Sequence, residues 1–209
     1  DALETIGYRV DRLQGGWKAY RHWVNAELSR WSARFTYHVL CGPTGCGKTR
    51  LLSALQRQGA QVLDLEALAN HRGSLIGAIP GSPQPSQKSF DSSLLQRLVT
   101  FDPEEPVWVE AESKKVGAVQ LPLALFEAMH AGRIYSLTAP MAERVKVWRE
   151  DYPHFEQDPA WLIERLRPLT PLVGSAEFTE WESLAQSKQM PALFQRLMEN
   201  HYDPAYGRS

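Results

Sequence analysis

The run Gly42-Pro43-Thr44-Gly45-Cys46-Gly47-Lys48-Thr49 is a complete G-x-x-x-x-G-K-[ST] pattern. Glycines at these positions let the backbone curl until successive N–H groups point inward, where phosphate oxygens would sit. A helix starting at the end of the run aims its positive N-terminus at the same place. Lys48 then supplies a point charge to the terminal phosphates, and Thr49 a hydroxyl for Mg²⁺. The pattern carries this meaning only between a strand and a helix. Residues 36–40, Thr-Tyr-His-Val-Leu, read as a buried strand. Residues 48–58 read as a helix with Leu51, Leu52 and Leu55 on one face and Gly59 as its stop. Gly42, Thr44, Gly45, Cys46, Gly47, Lys48 and Thr49 are therefore the expected phosphate-binding residues, with Thr49 also the expected metal ligand.

The chain on either side continues the alternation. Apolar residues at Trp17, Tyr20, Trp23, Val24, Leu28 and Trp31 form a helical stripe after the breaker pair Gly15-Gly16. Short strands are predicted at 61–65, 107–110 and 134–137, and helices from 65 to about 71, at 89–101 and at 122–131. Residues 73–88 contain Gly73, Gly77, Pro80, Gly81, Pro83 and Pro85, so they form a loop, longer than most loops in compact domains. From Pro140 onward the pattern is helical, broken at Pro153, Pro159, Pro168 and Pro171. Strands alternating with helices imply an α/β fold: a P-loop NTPase-like parallel sheet flanked by helices, with a helical C-terminal region.

Composition narrows the function classes. Lys plus Arg number 23 against 24 Asp plus Glu, for a net charge of −1, with 43% hydrophobic and 22% charged residues. That excludes a basic nucleic-acid tail, a polyacidic chain and a disordered chain. An RNA partner remains open, because a local patch can bind phosphates on a neutral protein. Two cysteines make no disulfide framework, no apolar run reaches the roughly 18 residues of a membrane span, and a cytoplasmic setting is expected. An Asn-Lys-x-Asp run for reading guanine is missing, which argues against a GTPase. Strand 107–110 ends in Glu110, where an acid supporting Mg²⁺ would stand, and Glu112 lies two positions on, on the same side if the strand continues. Either is a candidate catalytic carboxylate; Glu110 is favoured by position.

Several further segments resemble the P-loop part of the tRNA 2-selenouridine synthase family. These are Asp64-Leu65-Glu66 with His71-Arg72-Gly73-Ser74, Pro85-Ser86-Gln87-Lys88-Ser89-Phe90, Val109-Glu110-Ala111-Glu112-Ser113-Lys114-Lys115-Val116-Gly117 and His201-Tyr202-Asp203-Pro204-Ala205-Tyr206. The stretch Val10 to Tyr20 is similar to the closing piece of a rhodanese domain. The resemblance divides the chain into a rhodanese remnant and linker helix at 1–34, a P-loop domain at 35–150 and a helical extension at 151–209. It implies a transferase acting on the wobble uridine of tRNA, which attaches a geranyl group to 2-thiouridine and then exchanges S-geranyl for selenium. Its substrates would be geranyl diphosphate and, for the full-length enzyme, selenophosphate. Its partners would be tRNA and an N-terminal rhodanese domain, with neither DNA nor membrane. The sulfur-handling cysteine would lie outside this chain, so selenation is not expected of it alone. A small-molecule or nucleoside kinase, with ATP or GTP in the loop, is the alternative.

Outside the loop, Asp64, Arg72, Ser74, Lys88, Arg144, Tyr202 and Tyr206 are candidates for contact with substrate or tRNA. Each has a plainer reading. Asp64 ends a strand beside the loop but is also placed to cap a helix. Arg72 and Ser74 open the long loop, with Lys88 near its far end. Arg144 stands where a P-loop kinase puts a lid arginine, or on a solvated helix face. Tyr202 and Tyr206, with His201, suit stacking on an unpaired anticodon base, or packing of the chain end.

Overall fold

The computed structural model describes residues 2–206. A short helix α1 (Ala2–Thr5) precedes α2 (Gly16–Ser32), and then β1 (Tyr37–Cys41), α3 (Lys48–Arg57), β2 (Gln61–Leu63), α4 (Leu65–Ala69), α5 (Gln87–Leu98) and β3 (Val107–Glu110) follow. A small antiparallel hairpin, β4 (Lys115–Val116) and β5 (Val119–Gln120), leads into α6 (Leu123–His130) and β6 (Arg133–Ser136). The remainder is helical: α7 (Met141–Asp151), α8 (Pro153–Gln157), α9 (Pro159–Leu166), a 3₁₀ turn (Arg167–Leu169), α10 (Thr170–Val173), α11 (Ser175–Gln186) and α12 (Met190–Leu197). A π-helical turn (Met198–Tyr202) then runs into α13 (Asp203–Tyr206). The predicted alternation holds, including β3 at its predicted bounds. The β4–β5 hairpin is an addition, since two-residue strands carry no periodicity. Prolines open α8 and α9, where a missing N–H costs nothing. Among the described residues no helix is long and apolar enough to cross a membrane.

Four parallel strands form the main sheet in the order β2-β3-β1-β6. Val39 pairs with Val109 on one side and Ile134 on the other, and Leu40 with Glu110 and Tyr135. The carboxyl ends of β1 and β3 therefore finish side by side, which is where sheets of this kind receive ligands. One face buries Tyr37, Val39, Val107 and Val109 against Val24 and Leu28 of α2, Leu94 and Leu98 of α5, and Leu125 of α6. The opposite face sets Leu40 and Val62 against Leu52 of α3, beside a row of rings from His38, Trp108 and Tyr135.

The C-terminal helices have their own core of Trp148, Phe155, Leu162, Trp181, Phe194 and Leu197, each fully buried or nearly so. Truncating an aromatic at such a site costs about 3–5 kcal/mol. The long loop is tied to this core. Ile76, only 1% exposed, inserts into it, and bridges at His71–Ala78 and Ile79–Ser82 hold the loop's shape.

Candidate functional site

The loop at 42–49 leaves β1 and enters α3 at Lys48. Two of its glycines are required by space as well as by backbone conformation. A Cβ on Gly42 would meet the Leu137 carbonyl oxygen at 2.4 Å, and one on Gly45 the Arg144 carbonyl oxygen at 2.6 Å. Lys48 folds over the loop, its Nζ donating to the Gly42 carbonyl at 2.8 Å. Thr49 donates its hydroxyl to Glu110 Oε1 at 2.5 Å. Cys46 packs its sulfur against Gly42, and both cysteines are free thiols.

Strand β3 stops at Glu110, so Glu112 does not reach the site by strand alternation. It arrives through the turn before β4, and a third acid joins from α4. Ligand oxygens of Glu66, Glu110 and Glu112 all lie within 4.8 Å of one another. Burial, reinforced by the neighbouring carboxylates, pushes the Glu66 carboxyl up to about 9. The same causes push Glu112 up to about 7, with Lys48 opposing. Burial also raises Glu110, against the lowering effects of the Thr49 hydrogen bond and the Lys48 charge. Gly73 closes the far side with φ +60°, and a side chain there would have to push the glutamates aside. A Cβ there would lie 2.9 Å from Glu66 Oε1 and 3.0 Å from Glu112 Oε1. Hard carboxylate oxygens beside a threonine hydroxyl suit Mg²⁺, and a divalent cation would relieve the repulsion that holds these acids partly protonated. The donor set fits a metal of that kind.

The other candidates lie in different surroundings. Asp64 caps α4, accepting from the Ala67 N–H at 2.8 Å. Arg72, expected at phosphate or RNA, instead lies over the Tyr152 ring, 4.4 Å from its centroid, and donates to the Asp151 carbonyl. Ser74 faces the buried Tyr202 hydroxyl. Lys88 is not on the loop but in the first turn of α5, where it lines a surface groove with Trp17 and Tyr20. Arg144 is neither a solvated residue nor a free lid arginine. It is 5% exposed, grips both Asp203 oxygens at 2.6 and 2.8 Å, and donates from Nε to the Thr44 carbonyl at 2.8 Å. Tyr202 is buried against Trp148 and so is no stacking platform for an anticodon base. Tyr206, by contrast, is brought to the phosphate loop: Lys48 Nζ lies 5.7 Å from its ring centroid, and its hydroxyl bonds the Thr44 side chain. Glu66 and Gly73 also belong to the site, although the sequence does not mark them. Neither has a spacing signal, because both reach the acids through the pairing of β2 with β3 and the return of the long loop.

Residues 35–167 match the family model described as the tRNA 2-selenouridine synthase AAA domain. The chain is 39% identical over 157 residues to the tRNA 2-selenouridine synthase of Hydrogenovibrio crunogenus, covering 72% of this chain and 42% of that protein. It is 35% identical over 191 residues to that of Nitrosomonas europaea, covering 90% and 49%. To that of Aeromonas salmonicida it is 30% identical over 232 residues, covering 98% and 61%. The chain thus spans about half the length of the curated relatives it matches.

Proposed function

The chain belongs to the tRNA 2-selenouridine synthase family, and from that premise we propose that its phosphate loop grips the diphosphate of geranyl diphosphate for transfer of the geranyl group to the wobble 2-thiouridine of tRNA. The observation that carries the reading is the convergence of Lys48 and Thr49 with Glu66, Glu110 and Glu112 at the ends of β1 and β3. Inward N–H groups, a lysine and a carboxylate cluster suited to a cation are what a departing diphosphate requires. In the transfer, the bond between geranyl C1 and the bridging oxygen breaks, and its electron pair leaves with diphosphate. A bond forms from C1 to the uridine sulfur, and the proton on uracil N3 is released to a base. Bulk solvent takes that proton, since in this reading the acids are engaged by the cation.

Lys48 neutralises the terminal phosphate oxygens, and the loop backbone orients them. Mg²⁺ held by Thr49 and the acids would supply further charge neutralisation on the leaving group. In the same reading, exchange of S-geranyl for selenium from selenophosphate is work for the full-length enzyme with a rhodanese-like domain, since Cys41 and Cys46 are committed to the strand end and the loop. The kinase alternative would need Arg144 on phosphate, whereas its guanidinium is engaged by Asp203 and Thr44.

Isothermal titration with geranyl diphosphate and with ATP tests the proposal. Geranyl diphosphate is expected to bind in a Mg²⁺-dependent way, and Lys48→Ala to abolish the heat. Tight ATP binding without geranyl diphosphate binding would overturn it.

A further inference from the structure

The segment His201 to Tyr206 lies far from the phosphate loop in sequence, yet its last residue sits on that loop. Two contacts put it there. The Asp203 carboxylate receives both ends of the Arg144 guanidinium, whose Nε holds the Thr44 carbonyl of the loop itself. Three residues on, the Tyr206 ring faces the Lys48 ammonium at 5.7 Å, while its hydroxyl bonds the Thr44 side chain. The residue remains 45% exposed, so the ring borders the mouth of the site and is not sealed within it.

We propose that Tyr206 is a catalytic residue whose aromatic face stabilises positive charge on the allylic carbon during prenyl transfer, with Arg144 and Asp203 as the positioning residues that hold it there. The inference rests on the diphosphate reading given above. As the C1–O bond breaks, its electrons go to the diphosphate and C1 gains positive character before sulfur closes on it. The negative face of an aromatic ring attracts such a charge when it lies within about 6 Å of the centroid. Lys48 now occupies a place that a cation can take against this ring. Drawn toward a bound diphosphate, its ammonium leaves the ring facing the carbon next to the departing oxygen. No oxidant, reductant or additional reactant is needed, and the tyrosine forms no covalent bond.

The test uses the full-length protein and a tRNA bearing 2-thiouridine, with single-turnover formation of the S-geranyl product followed by mass spectrometry. Pyrophosphate binding is measured on the same variants by titration. Tyr206→Leu removes the ring and is expected to slow product formation on the order of tenfold, with the dissociation constant of pyrophosphate changed less than twofold. Tyr206→Phe, which restores the ring without the hydroxyl, is expected to recover most of the lost rate. The inference is overturned if Tyr206→Leu reacts at the wild-type rate, if its pyrophosphate affinity falls by the same factor as its rate, or if Tyr206→Phe is as slow as Tyr206→Leu. Failure of the wild-type protein itself to form S-geranyl product overturns the geranyl reading and this inference with it; an active wild type with an unaffected leucine variant overturns this inference alone.

Discussion

The phosphate loop and the C-terminal helical body meet at one site, but they are specified in different ways. The loop is contiguous: eight residues in a row supply its glycines, its lysine and its threonine. The C-terminal body contributes by contact at a distance. Asp203 reaches Arg144 across 59 positions, and Arg144 reaches Thr44 across 100. Local chemistry is thus written in one motif, while the geometry around it is set by long-range packing. Function should be lost by damage to the first, and stability or positioning by damage to the second.

The sharpest way to break that contrast is Lys48→Ala. Among the described residues its ammonium donates one hydrogen bond and faces the Tyr206 ring, so stability should fall by less than in the next variant, while diphosphate affinity falls by about 100-fold or more, as when a donor to a developing anion is removed. Parallel thermal melts and titrations check both halves. Next comes Asp203→Ala, which leaves Arg144, with a side chain 6% exposed, without its carboxylate. A stranded buried charge costs about 3 kcal/mol, read as a drop of roughly 6–12 °C in melting temperature for a chain of this size. If Lys48→Ala destabilises as much as Asp203→Ala, the division between the regions fails.

Gly73→Ala tests the wall between them, since the new Cβ enters the space of the Glu66 and Glu112 oxygens at a positive φ. Destabilisation of about 1–3 kcal/mol is expected in thermal melts. The acids also predict a pH dependence. Carboxyls raised on folding bind more protons in the native state, so their contribution is fully present below about 4.5 and is lost as pH rises through about 7 for Glu112 and about 9 for Glu66. Added Mg²⁺ should therefore raise the melting temperature more at pH 9 than at pH 5; an equal shift at both would contradict the cluster. The smallest effect is expected at the surface. Arg149→Ala removes an exposed pair with Glu156 and should change stability by less than about 0.5 kcal/mol in the same melts.

The same division explains what could be read from the sequence. β3 was legible because Val107, Trp108 and Val109 form a short apolar run behind the turn at Pro103 and Pro106. The loop and α3 were legible from glycine spacing and the leucine face. Glu66 was not, because its approach to Glu110 depends on β2 choosing β3 as its neighbour, a pairing that no local pattern encodes. Arg144 looked like a surface or lid arginine because the acid that buries it stands in another segment. Tyr202 and Tyr206 looked alike, four positions apart. One is packed on Trp148 and the other half-exposed over Lys48, a difference decided by the helical body's own core.

The π-helical turn at Met198–Tyr202 carries a consequence for how this terminus tolerates insertions and deletions. Such a turn holds one residue more than the α-helical pitch requires, and each residue of an α-helix turns the chain by about 100°. Removing a single residue from α12 would rotate everything downstream by about that angle, swinging Asp203 off its guanidinium and the last aromatic off the lysine together. Removing one within the turn instead gives up its extra residue and restores α-helical pitch, so the terminus should stay latched, whereas an indel in the buried α12 before it should unlatch it.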